Sequence, residues 1–408
     1  MSRLDRCHSI ADLRRIARRR LPRGVFDYID GGADDEVSLA NNSAAFAHLQ
    51  LVPQVLTDVA EVDSSTEVMG RRIDMPLVLA PTGLSRLFHH LGERAVARAA
   101  ARAGTVYSLS SASTVSIEDI GALTDGPKWF QIYVWRDRAL LSDFMARCRA
   151  AGFDALCLTV DVQVAGNRER DLRNGMALPP RLTARLALDV LRHPLWWANL
   201  LARPPLTLAN VATSMQVEGT GLTTMVDYVN AQFDRSVTWD DARWMIDQWG
   251  GPFAIKGILD PADAQRAVAA GATGIIVSNH GGRQLEHAPA PIEVLPEIAA
   301  AVAGRADVIL DGGVRRGTDV LKAVALGAKA CMAGRPYLYG LAAGGEAGVD
   351  RALTLLKDEI RRDMALLGVR DLGQLGPARI RARPEALSHP PARAQAAPPP
   401  RLDVVKSG

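Results

Sequence analysis

The chain has 408 residues, 48% hydrophobic and 23% charged, with a formal net charge of +3. That composition belongs to a globular protein with a large core; it excludes a fibrous or wholly disordered chain, and so small a charge gives no reason to expect nucleic acid. The four cysteines, Cys7, Cys148, Cys157 and Cys331, lack metal-ligand or secreted-domain spacing, so they read as reduced thiols of a cytoplasmic protein, and no metal is expected. The N-terminus has no apolar signal-peptide core, and no apolar run reaches the ~18 residues that a spanning helix needs.

Residues 1–60 open with Leu13, Ile16, Ala17 and Leu21 at helical spacing, ended by Pro22. They predict a helical cap, which also contains Phe26-Asp27-Tyr28 and Gly31-Gly32. The arginines at 14, 15 and 18–20 read as a solvated face of its first helix. From 61 to 382, apolar and β-branched runs at 77–80, 105–109, 129–134, 155–160, 253–257, 274–277, 307–310 and 329–333 read as strands. Alanine-rich amphipathic stretches such as 93–103 and 261–270 alternate with them. Eight β-then-α units predict an α/β fold, a parallel (β/α)8 TIM barrel. A doubly wound open sheet is the alternative, but no early GxGxxG turn supports it.

The connection after the fourth strand, about 162–238, is far longer than the few residues of an ordinary βα loop, which marks it as functional. Within it, from Leu186 to Val211, Leu188, Leu191, Leu195, Trp196, Trp197, Leu200 and Leu201 are flanked by Arg185, Arg192 and Arg203 and interrupted by Pro194, Pro204 and Pro205. Paired tryptophans among leucines and arginines suit an interfacial helix lying on a bilayer; a lid or a subunit contact is the alternative. Residues 383–408, rich in Pro, Ala and Arg, read as a disordered tail.

Chemistry concentrates where the strands end, the rim that carries active sites in parallel barrels. The first strand ends in Pro81-Thr82-Gly83 and the second in Ser110-Ser111-Ala112. The third carries Gln131 and Tyr133; the fourth ends in Thr159-Val160-Asp161, with Arg168 beyond. The fifth carries Lys256 among apolar residues, an inward ammonium that needs an anionic partner. The sixth is followed by Ser278-Asn279-His280-Gly281-Gly282-Arg283-Gln284. There His280 can move a proton near neutral pH, Arg283 can fork a carboxylate, and the glycines allow close approach of a ligand. The seventh ends in Asp311-Gly312-Gly313-Val314-Arg315 and the eighth in Gly334-Arg335. Glycines and arginines on those two rims read as a phosphate site. Ser110, Gln131 and Thr159 suit a flavin's pyrimidine edge, and together with one phosphate site they point to FMN.

The motifs 278–284 and 310–317 resemble the FMN-dependent α-hydroxy acid oxidase/dehydrogenase family over about residues 8 to 382. Stretches 112–119 and 166–172 look like its mandelate dehydrogenases, and the Trp196-Trp197 segment resembles the insertion that anchors its membrane-associated (S)-mandelate and L-lactate dehydrogenases. The resemblance implies His280 as the base, Asp161 as its carboxylate partner, and Arg168 and Arg283 as the pair that binds the substrate carboxylate. It implies Tyr28 and Tyr133 at the substrate, Lys256 beside the flavin, and Arg315 with Gly334-Arg335 at its phosphate. Ser278, Asp311, Gly312 and Gly313 fall in its cofactor motifs. Ala112 stands where the glycolate-type members carry tryptophan, and Gly83 where many carry alanine. Both remove volume and imply a bulky 2-hydroxy acid such as (S)-mandelate, with L-lactate as the alternative. The resemblance further implies a homotetramer on the inner face of the cell membrane that passes electrons to quinone. A soluble oxidase using O2 and a non-catalytic flavin sensor are the other readings.

Overall fold

The computed structural model describes residues 3–176, 184–201, 205–215 and 232–383. The expected tail from 384 onward lies outside the described residues. The cap begins with α1 (Ile10–Arg20), α2 (Arg23–Asp30) and α3 (Val37–Ala44). Ser9 starts α1 by accepting the Asp12 N–H on its hydroxyl, and the chain turns extended at Leu21, before Pro22. Ile10, Leu13 and Ala17 form the buried face of α1 against the long helix Arg335–Leu366.

Eight parallel strands close into a barrel: β1 (Leu77–Leu79), β2 (Tyr107–Ser110), β3 (Lys128–Tyr133), β4 (Ala155–Thr159), β5 (Phe253–Ile258), β6 (Gly274–Ser278), β7 (Asp307–Asp311) and β8 (Ala330–Ala333). Their ends differ from the sequence reading by at most two residues. Apolar runs buried on both faces explain why the strands were legible. Inside, Val78, Trp129, Cys157, Ala254, Ile276, Ile309 and Met332 share one apolar cluster. A hairpin of Thr66–Val68 and Arg71–Ile73 closes the floor, sending Val68, Met69 and Ile73 into that cluster. All four cysteines are buried and free.

The insertion is not one interfacial helix. It contains helices Ala184–Leu191, Pro194–Leu201 and Ala209–Met215, so Pro194 starts a helix rather than interrupting one. Leu208 and Val211 are buried, whereas Leu188, Leu191 and Leu195 before them are open to solvent. Residues 177–183, 202–204 and 216–231 lie outside the described residues.

Candidate active site

Strand alternation builds the base of the site. Residues two positions beyond the apolar interior layer point the same way. Gln131 thus follows Trp129, Thr159 follows Cys157, Lys256 follows Ala254, Ser278 follows Ile276 and Asp311 follows Ile309. The apolar interior therefore ends in a polar layer at the C-terminal rim. Three neighbouring strands join there. Lys256 Nζ lies 2.7 Å from Asp311 Oδ2 and donates to Ser278 Oγ at 2.9 Å, and Ser278 Oγ donates to Asp311 Oδ2 at 2.8 Å. Burial alone would discharge Lys256, but the charges of Asp311 and Asp161 hold its pKa above the usual lysine range. Asp311 is the anionic partner that the inward ammonium needs. A buried lysine facing inward demands a carboxylate, and the acid that ends β7 was the available one.

His280 lies two residues past the end of β6. Its φ is 57°, and Gly281 and Gly282 continue at 66° and 71°. Three consecutive left-handed residues form the turn, and the histidine carries its strain, of order 1–2 kcal/mol. A side chain at Gly281 would meet Arg335 and one at Gly282 would meet Leu39, so the glycines admit close packing of neighbouring protein. The turn aims His280 Nδ1 at Asp161 Oδ1, 2.9 Å away. Nε2 is then the nitrogen left for a substrate. Burial would raise the Asp161 pKa, yet the His280 and Lys256 charges hold it below the usual carboxylate range. Such a pair can take a proton at Nε2 and stabilise the resulting imidazolium. Burial and then the Asp161 charge push Tyr133 up to about 12, so its hydroxyl stays a donor.

Arg168 and Arg283 flank the Tyr28 ring, at 5.5 and 5.3 Å from its centroid. Arg283 Nη1 donates to the carbonyls of Tyr28 and Gly31, both at 2.9 Å. Arg335 donates to the carbonyls of Ile29, Gly281 and Gly31 at 2.8–3.0 Å. The open C-terminal carbonyls of α2 are thereby satisfied by two barrel guanidiniums, which is what fixes Tyr28 over the rim. Burial, then the charges of Arg168 and Arg335, push Arg283 down to about 10. A positive field this crowded favours an anionic ligand.

These groups surround a cavity of about 270 Å³. Of the residues singled out in the sequence, Tyr28, Pro81, Thr82, Gly83, Ala112, Tyr133, Arg168, Lys256, His280, Arg283, Asp311, Gly312, Gly313, Arg315, Gly334 and Arg335 line it. Asp161 sits behind His280, and Ser278 lies beneath Lys256. Ser110 Oγ donates to Gln131 Oε1 at 2.8 Å, and the Thr82 hydroxyl is 2.6 Å from that of Tyr337. Gln131 Nε2 and Thr159 Oγ1 are buried without a protein partner. Two orphaned polar atoms at the barrel mouth are what a flavin's ring edge would satisfy, and Arg315 with the backbone of Gly312, Gly313 and Gly334 suits a phosphate. The Arg335 guanidinium is spent on carbonyls, so this residue can offer its backbone N–H at the start of a long helix. The residues present fit FMN.

Sequence reasoning missed the apolar wall. Leu84, Phe88, Val162, Leu208 and Phe233 line the cavity. Phe233 stands edge-on to Tyr133, centroids 5.4 Å apart. It comes from the far end of the insertion, where no local periodicity points at the barrel. The length of the insertion was the one available signal.

A family model described as FMN-dependent dehydrogenase matches residues 17–382. The chain is 46% identical over 379 residues to a putative L-lactate dehydrogenase of Mycobacterium tuberculosis, covering 93% of this chain and 90% of that one. It is 40% identical to glycolate oxidase 1 of Zea mays, covering 94% and 98%. A crystal structure of the monotopic membrane protein (S)-mandelate dehydrogenase superposes with a TM-score of 0.89 at 40% identity, covering 93% of this chain and all of that one. A match of this extent, on a barrel whose rim fits FMN, means that the chain belongs to the FMN-dependent dehydrogenase family.

Proposed function

We propose that the chain oxidises an L-2-hydroxy acid with a bulky side chain, of the (S)-mandelate type, to the 2-oxo acid and delivers the electrons to a quinone at a membrane surface. FMN-dependent 2-hydroxy acid oxidation is the chemistry of its family. The substrate assignment rests on one observation: Gly83 and Ala112, which carry the least side-chain volume, both line the cavity. Small residues there, in a cavity also lined by Leu208 and Phe233, leave room for a ring.

Arg168 and Arg283 hold the substrate carboxylate, and Tyr28 and Tyr133 contact the substrate. His280 Nε2 accepts the proton released as the carbinol carbon becomes a carbonyl. Asp161 keeps Nδ1 protonated and stabilises the imidazolium. FMN, when bound, supplies the two-electron acceptor. Gln131 and Thr159 would hold its ring edge, Lys256 would lie beside it, and Arg315 with the 312–313 and 334–335 backbone would hold its phosphate.

The membrane reading rests on Leu188, Leu191 and Leu195, which are 51%, 68% and 75% exposed on the first two insertion helices. Among the described residues no helix is long and apolar enough to cross a bilayer, so contact would be peripheral. L-Lactate is the second reading, favoured by the 46% identity to a putative L-lactate dehydrogenase. Anaerobic flavin reduction across glycolate, L-lactate and both mandelate enantiomers tests the assignment. (S)-Mandelate should reduce the flavin most efficiently; a preference for glycolate would refute the bulky-substrate reading. Oxygen consumption during turnover would identify an oxidase instead.

A further inference from the structure

A second cavity, about 550 Å³, lies beyond Phe88, whose ring lines both cavities and stacks on Tyr28 at 6.3 Å. Its walls come from the chain start, the end of α1, the loop after β1 and helix Pro194–Leu201. Five guanidiniums line it: Arg3, Arg19, Arg20, Arg86 and Arg192. The imidazoles of His89, His90 and His193 line it too, and no carboxylate does among the described residues. Two acids that interact with its lining residues are engaged elsewhere as well. Asp189 lies 3.7 Å from His193 Nδ1, and Glu93, whose charge reaches Arg86, accepts from the Ser85 and Thr114 N–H groups and the Thr114 hydroxyl. Arg20 is tied to the Ala343 carbonyl. Among the described residues the side chains of Arg3, Arg19 and Arg192 make no hydrogen bond or ion pair. The field is felt inside: burial, then His90 and the Arg20 charge, push His89 down to about 4.

Arginines converging on one cavity, with no acid among its described lining residues, favour an anion. Guanidinium forks match phosphate oxygens. Leu195 and Leu200 add an apolar edge, and Leu195 is 75% exposed. We propose that this second cavity binds a phosphate-bearing anion through Arg3, Arg19, Arg20 and Arg192. The anion comes either from a lipid headgroup, with the acyl chains along the leucine edge, or from free phosphate. The lipid source rests on the membrane reading above; the free source does not.

The FMN-loaded protein is the one to test, because its cofactor phosphate site is then filled. Flotation with phosphatidylcholine vesicles, with and without phosphatidylglycerol, reads the lipid source. Titration with inorganic phosphate, followed by tryptophan fluorescence from Trp196 in the cavity wall, reads the free source. Each surface arginine contributes about fivefold to binding an anionic membrane, so Arg19→Gln/Arg192→Gln should weaken binding to anionic vesicles roughly 25-fold. Arg18→Gln, on the same helix but outside the cavity, should change binding much less, and flavin reduction by substrate should be unaffected in both variants. A saturable phosphate signal that the double variant loses supports the free source, even if no vesicle binds; the membrane reading alone would then fall. Wild-type protein that floats equally on neutral and anionic vesicles and ignores phosphate would overturn the proposal while leaving the membrane reading intact. Equal behaviour of the double variant and Arg18→Gln in both assays would overturn it as well. Should the double variant lose its flavin, Arg192→Gln alone carries the comparison, with an effect of about fivefold.

Discussion

Asp161→Asn isolates the charge behind the base. The substitution keeps the side chain's shape and can keep a hydrogen bond to His280 Nδ1, now 2.9 Å from Oδ1. What it removes is the negative charge that stabilises an imidazolium. That charge is present at neutral pH, because His280 and Lys256 hold the Asp161 pKa low despite its burial. Two unit charges ~4 Å apart at an effective dielectric of ~20 interact by ~4 kcal/mol. Lys256 shares the field of the same carboxylate, and asparagine retains a polar contact, so the net loss should be about 2–4 kcal/mol, or roughly 30- to 1,000-fold in rate. Anaerobic stopped-flow reduction of the flavin at saturating substrate measures it directly. Asp161 does not line the cavity, so KM should move far less than the reduction rate. A variant that keeps its flavin and is reduced as fast as wild type would show that no imidazolium forms at His280 in the slow step.

Three further outcomes are expected. Ala112→Trp fills the space beside Gly83 and should lower kcat/KM for mandelate about 5- to 150-fold more than for L-lactate, as for overpacking a closed pocket; equal losses would remove Ala112 from the side-chain pocket. Asp30 binds Arg14 Nε at 2.6 Å and the Tyr339 hydroxyl at 2.7 Å, and despite burial, which would raise it, Arg14, Tyr339 and Arg170 hold its pKa at about 2 against 3.8 unpaired. A lowered carboxylate stabilises above its unfolded pKa and loses that contribution as pH falls through the folded value, so Asp30→Asn should cost roughly 2 kcal/mol in urea melts at pH 7 and much less near pH 2; a constant gap across that range would contradict the assignment. At Gly313, with φ 79°, a Cβ would overlap the Asn42 carbonyl of α3, so Gly313→Ala should displace the cap, lowering the thermal midpoint and releasing flavin on mild heating; an unchanged melt would mean that α3 yields freely.

The barrel was legible because each strand is buried on both faces, and so it stands out as an apolar run such as Gly274 to Val277. The rim was legible because polar residues interrupt those runs at their C-terminal ends, as Lys256 does within β5 and Ser278 at the end of β6. Partnership was less legible. The link from Lys256 through Ser278 to Asp311 spans three strands, and only the register of their parallel pairing brings these residues into one layer. The carbonyl contacts of the Arg335 guanidinium were hidden for the same reason: nothing local to a strand end shows that the carbonyls of Ile29, Gly31 and Gly281 will meet it. Phe233 and Leu208 carried no signal, because an apolar residue in a long insertion reads equally as core, lid or surface.

The cap's place in the chemistry follows from where its helix ends. An isolated α2 would leave its last carbonyls to water. Here Arg283 and Arg335 take the carbonyls of Tyr28, Ile29 and Gly31, and each guanidinium is buried by doing so. Removing the cap would strip Arg283 of both carbonyl acceptors and Arg335 of two of its three, and would open both to water. The Asp30 cluster adds the reverse dependence. Arg14 from α1, Arg170 from the insertion and Tyr339 from the last helix converge on one carboxylate of the cap. Cap, insertion and barrel therefore satisfy one another's polar groups, and the arginine proposed to hold the substrate carboxylate is the one that locks the cap. Substrate charge and cap position are coupled through Arg283, so a mutation that loosens the end of α2 should weaken substrate binding without touching His280.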